Sequence, residues 1–89
     1  MVCSADLVIQ NTKGLHARAA ASFVKAIQNI NAEVTVTKAG QTVGGDSIMG
    51  LMMLAAAKGT TIHVEAEGDE AQKAVEIISN LINTKFGED

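Results

Sequence analysis

Gly14-Leu15-His16-Ala17-Arg18 is the stretch of this 89-residue chain whose residue types and order can do chemistry. A polar turn, Asn11-Thr12-Lys13-Gly14, ends in glycine, a histidine follows, and an apolar periodicity of helical spacing begins at once. That order sets the His16 ring beside a helix N-terminus, where backbone N–H groups without helical partners carry about half a positive charge. The positive end disfavours a second positive charge on the ring and favours an anion attached to it, and a phosphoryl group is such an anion. Arg18 adds a permanent cation whose forked donors match phosphate oxygens. Together they form a site able to carry a phosphoryl group on His16 without holding it too tightly to let go. An isolated histidine more often caps a helix or packs, and a motif this short has a high false-positive rate.

Other chemistries lack their residues. No second histidine, cysteine or carboxylate stands at metal-ligand spacing around His16, so no metal is expected. There is no recognisable Ser-His-Asp or Cys-His set and no Gly-rich nucleotide loop, so neither a cofactor nor a self-contained turnover enzyme is expected. A small metal carrier of similar element order would need a Cys-x-x-Cys pair, and Cys3 is the single cysteine.

The elements that must position His16 follow from periodicity. Ala5 to Gln10 reads as a strand centred on Leu7, Val8 and Ile9. Ala20, Phe23, Val24, Ile27 and Ile30 form the apolar stripe of a helix that starts at Ala17. Ala32 to Thr37 alternates as a half-buried strand, Lys38-Ala39-Gly40 turns, and Gln41 to Val43 is its hairpin partner. Gly44-Gly45 breaks the pattern, Asp46 and Ser47 supply cap oxygens, and a short helix is predicted from Ser47 to Ala57, stopped near Gly59. Thr60 to Ala66 alternates again, with Ile62, Val64 and Ala66 on one face and His63 facing solvent. Gly68 ends that strand, Asp69 is the expected cap of the last helix, and Ala71, Ala74, Val75, Ile78, Leu81 and Ile82 are its buried stripe. Gly87-Glu88-Asp89 reads as a solvated tail.

Single-striped helices and period-two strands in the order βαββαβα specify an α+β fold: an open-faced sandwich with a four-stranded antiparallel sheet and three helices on one face. Residues 1–89 fit one domain. Hydrophobic residues make up 47% of the chain, enough for a folded core. The formal charge of −3 comes with no basic run, which argues against nucleic acid. A lone cysteine fits a reducing compartment, Met1 to Gln10 lacks the features of a signal peptide, and no stretch approaches the roughly 20 apolar residues of a membrane helix. A soluble cytoplasmic monomer is expected.

Asn11 through Lys25 resembles the active-site segment of the histidine-containing phosphocarrier (HPr) family of the phosphoenolpyruvate-dependent phosphotransferase system. Ser47-Ile48-Met49-Gly50-Leu51-Met52-Met53-Leu54-Ala55-Ala56-Ala57-Lys58-Gly59, at the family's usual separation, resembles its regulatory-serine helix. The resemblance implies that Enzyme I phosphorylates His16 on Nδ1 and that a IIA-type protein or domain receives the group. Arg18 would assist, and the backbone N–H groups of Ala17 and Arg18 would ligate the phosphoryl oxygens. Ile48, Met49, Leu51, Met52 and Met53 become candidates for the partner interface, although the helical stripe also assigns Leu51 and Met52 to the core. Ser47 becomes a candidate for regulatory phosphorylation by HPr kinase/phosphorylase, with Asp46 beside it an unfavourable neighbour for phosphate. Many relatives have proline where this chain has Ala19, which implies a looser start to the first helix. Ala19 and the run from Leu51 to Ala57 lean toward nitrogen-related regulation over sugar uptake. The alternative is a binding module controlled through Ser47 without histidine chemistry, which the presence of both His16 and Arg18 opposes.

Overall fold

The period-two stretches of the sequence pair into one sheet in a computed structural model, which describes residues 1–88. Its strands are β1 (Val2–Val8), β2 (Glu33–Lys38), β3 (Gln41–Gly44) and β4 (Thr61–Glu67), all antiparallel, in the order β1-β4-β2-β3. The helices are α1 (Ala17–Ile27), α2 (Ile48–Met53) and α3 (Ala71–Asn83), followed by a 3-10 turn at Lys85–Gly87. This is the expected α+β open-faced sandwich.

Register explains which face is covered. Val64 of β4 lies opposite Ala5 on one side and Val36 on the other, so apolar residues of three strands meet in one row. Ala19, Ala20, Phe23 and Ile27 of α1, and Ala71, Ala74, Ile78 and Ile82 of α3, close over that face. Each large side chain fully buried there, such as Phe23, Ile62, Ile78 or Ile82, contributes about 1.5–3 kcal/mol. The other face is exposed and carries mostly polar side chains, with Val2 and Val8 among them on β1, and His63 Nδ1 there pairs with Asp6 Oδ1 at 2.8 Å. Among the described residues, no helix is long and apolar enough to cross a membrane.

Several boundaries differ from the sequence reading. β1 starts earlier, at Val2, because its partner β4 continues to Glu67. Ile9 lies past the strand yet is buried, bonded through its backbone to Gly59 and Thr60. Helix α2 ends at Met53, well short of Ala57. There Lys38 Nζ donates to the carbonyls of Leu54 and Ala55 at 2.9 and 3.2 Å, and Ala55 adopts a left-handed φ of 52°. Carbonyls satisfied from outside the helix remove the drive to continue it. Asp69 does not cap α3: the N-cap is Glu70, without a side-chain cap bond. Both acids turn instead to Asn31, whose backbone N–H donates to Glu70 Oε1 at 2.7 Å and whose Nδ2 donates to Asp69 Oδ2 at 3.4 Å. They fasten α3 to the α1–β2 connection.

The tail is the largest departure. Lys85 and Phe86 take left-handed φ values of 58° and 56°, the chain reverses, and Phe86 packs into the core. Glu88 is thereby returned to the molecule and is not solvated, while Asp89 lies outside the described residues.

The turn before α1 is held just as tightly. Leu15 N–H donates to Ala56 O at 2.9 Å, and Gly14 sits at φ +68° against that same carbonyl. A Cβ on residue 14 would stand 2.4 Å from Ala56 O and 3.0 Å from Ala57 Cα. Gly14→Ala is therefore expected to lower the free energy of unfolding by about 2–4 kcal/mol, combining left-handed strain with overpacking. Denaturant unfolding checks this; a loss under about 0.5 kcal/mol, the ordinary scale of a surface change, would mean that the two loops part easily.

Candidate functional site

With Gly14 and Leu15 pinned, His16 becomes the N-cap of α1, with extended backbone and no side-chain cap bond. The first helical bond runs from Ala20 N–H to His16 O at 2.8 Å. The amides of Ala17, Arg18 and Ala19 therefore precede any intrahelical partner, and they define the positive end beside the ring. Ala17 and Arg18 are exposed, whereas Ala19 is fully buried against the core. The Ala19 amide is thus one that no helical bond requires.

The ring is held by one edge. His16 Nε2 lies 2.6 Å from Glu88 Oε2, and Nδ1 has no hydrogen bond among the described residues. An ionised carboxylate can only accept, so Nε2 is the donor. Glu88 Oε2 also lies 3.5 Å from Arg18 Nε, and Glu88 Oε1 accepts from Asn11 Nδ2 at 3.0 Å. Asn11 is fully buried, and its Nδ2 donates to Gly14 O at 2.8 Å as well. Burial pushes the Glu88 carboxyl up, but the hydrogen bonds from Asn11 and His16, with the charges of His16 and Arg18, outweigh it and hold the group below its usual range. The Arg18 side chain is 69% exposed, so its guanidinium is free to swing toward another anion. Thr12, Lys13, Arg18, Ser22, Phe86 and Glu88 line a cleft that shares Arg18 and Glu88 with this cluster.

His16, Ala17 and Arg18 stand together at the start of α1. Asn11 and Glu88 escaped notice as site residues. Asn11 reads as an ordinary turn residue, and Glu88 stands 72 positions from His16 with no local pattern to link them.

Ser47 stands at the other end of the candidate set. It caps α2 on its own, its Oγ accepting from Gly50 N–H at 2.9 Å. The following helix packs against α1, and Met49 and Met53 are 71% and 65% exposed. Ile48 is exposed as well. Leu51, one of the interface candidates, is fully buried and offers nothing to a partner. Met52 departs in the opposite sense: assigned to the core by the stripe, it is 41% exposed, because α2 is too short and too close to the surface to bury two rows.

Known proteins are similar to this one along nearly the whole chain. The family described as PTS HPr component phosphorylation site matches residues 3–84. The phosphocarrier protein HPr of Neisseria meningitidis serogroup A is 50% identical over 83 residues, 93% of each chain. The one from Pseudomonas aeruginosa is 43% identical over 84 residues, again 93% of each. The crystal structure of HPr-C-His from Thermoanaerobacter tengcongensis superposes with a TM-score of 0.93 at 37% identity, covering 98% of each chain. Sequence and fold coincide from β1 through α3, and the chain belongs to the HPr family of the phosphotransferase system.

Proposed function

We propose that this protein is a cytoplasmic phosphocarrier in which His16 Nδ1 accepts a phosphoryl group from Enzyme I and passes it to a IIA-type protein or domain. The observation that carries the reading is the His16 ring at the N-cap of α1, tied at Nε2 and, among the described residues, without a hydrogen bond at Nδ1. The Nδ1 lone pair attacks phosphorus, the donor's bond to phosphorus breaks, and its electron pair stays with the donor. The oxygens of the transferred group then lie where the amides of Ala17 and Arg18 and the Arg18 guanidinium can meet them, charge against charge. Reversal toward the acceptor uses the same contacts, so they favour neither direction strongly.

Partners dock, on this reading, across α1 and the exposed side of α2. Ile48, Met49, Met52 and Met53 give flexible apolar contact that can adjust to successive partners. A phosphate on Ser47 would place negative charge at the edge of that surface, and would do so beside the Asp46 carboxylate.

Incubation with Enzyme I and labelled phosphoenolpyruvate should give a product that loses its label in acid and keeps it in alkali. His16→Ala should take no label while unfolding near the wild-type midpoint; label retained by that variant would refute the assignment. Arg18→Ala should slow transfer by about 10- to 100-fold, and unchanged single-turnover rates would mean that the backbone amides suffice. Met49→Glu should raise the Enzyme I concentration needed for half-maximal rate by roughly fivefold at unaltered stability. A destabilised protein would instead return Met49 to the core.

A further inference from the structure

We propose that Glu88 is a positioning residue for phosphoryl transfer: its carboxylate keeps a proton on His16 Nε2, leaving Nδ1 open in the free ring and making the phosphorylated ring a better leaving group. The inference rests on His16 as the acceptor and adds a residue remote in sequence to its chemistry.

Three observations carry it. First, the contact is close, 2.6 Å between His16 Nε2 and Glu88 Oε2, and it engages the ring edge away from the reacting nitrogen. Second, the carboxylate is oriented by its own partners. Asn11 Nδ2 donates to its other oxygen at 3.0 Å, and Asn11 is fully buried and tied to the Gly14 carbonyl of the reactive turn. Third, the chain goes out of its way to deliver it. Lys85 and Phe86 both occupy left-handed backbone, which non-glycine residues avoid unless their surroundings enforce it, and Phe86 anchors the reversal in the core. The Glu88 side chain is left only 14% exposed, so solvent screens the contact less than it would an ordinary surface pair.

The proton stays in place throughout. When Nδ1 forms its bond to phosphorus, the Nε2–H remains, the ring gains positive charge, and the Glu88 carboxylate stands opposite that charge. When the nitrogen–phosphorus bond breaks, its electron pair returns to Nδ1 and the group moves to the acceptor's nucleophile. The ring then departs as neutral imidazole. Without the Nε2 proton it would have to depart as an anion, which is a far poorer leaving group. Glu88 thus acts on both legs through the charge state of the ring, and never touches the phosphoryl group.

Glu88→Gln in the full chain tests this, because glutamine keeps the size and an acceptor oxygen but loses the charge. In the unphosphorylated wild type, the His16 Nε2–H proton should give a distinct downfield ring resonance protected from solvent exchange; in Glu88→Gln and Glu88→Ala it should exchange away. After labelling through Enzyme I, phosphorylated Glu88→Gln should hydrolyse about fivefold more slowly than wild type at mildly alkaline pH, the scale of exchanging a charge-assisted hydrogen bond for a neutral one. A purely structural Glu88 would change unfolding and leave both readouts alone. Equal hydrolysis rates, or an unprotected ring proton in the wild type, overturn the proposal while labelled His16 keeps the carrier reading. A wild-type chain that takes no label from a competent Enzyme I overturns the carrier reading itself.

Discussion

Leu15 donates its backbone N–H to Ala56 at 2.9 Å, while Gly14 presses against the same carbonyl at a distance no side chain would tolerate. Both loops lack regular structure, yet this contact joins the turn that starts α1 to the segment that ends α2. Everything at the site is referenced to it. The His16 backbone follows directly, the α1 amides follow from His16, and Asn11 reaches Gly14 from the other side. An opening helix dipole is of use to an anion only if its first turn is held still, and a backbone contact between two loops does that where a flexible side chain could not. The left-handed φ of Gly14 is the local requirement for the approach.

The same contact bears on α2. Its early end frees the Leu54 and Ala55 carbonyls for Lys38 and the Ala56 carbonyl for Leu15. A helix continued to Ala57 would direct these groups along its own axis, and the reactive turn would lose its seat. Shortness also leaves α2 with one buried residue, Leu51, and a surface of Ile48, Met49, Met52 and Met53. The structural need for a short helix and the exposure of an apolar patch are one constraint with two consequences. Contiguous exposed apolar surface on a small domain is a mark of interaction, and here it adjoins the His-bearing helix.

Charge at the site is balanced by residues from opposite ends of the chain. Arg18 and the α1 N-terminus are positive, and Glu88 answers them while bonded to Asn11 and His16. Those donors and charges hold its carboxyl below the usual range, even though burial works against it. Arg18 meets Glu88 only at 3.5 Å and is largely solvated, so it is the adjustable member of the set, whereas Asn11 is the fixed one.

The sequence by itself determined the elements and the chemistry that a local pattern can encode. Period-two and period-3.6 spacing placed the strands and the buried stripes, because apolar residues must share a face to leave water. The Gly-Leu-His-Ala-Arg segment placed a histidine and an arginine at a helix start, because turn and helix signals are local, and the likeness of two blocks to one family singled out the same site. Only the tertiary structure decided where α2 stops, since Lys38 and Leu15 compete for its carbonyls from distant positions. It alone took the α3 cap from Asp69, because Asn31 claims both neighbouring acids, and it alone turned a presumed tail into a latch at Glu88. In each case the deciding bond joins residues remote in the chain, and such pairs leave no periodicity to read.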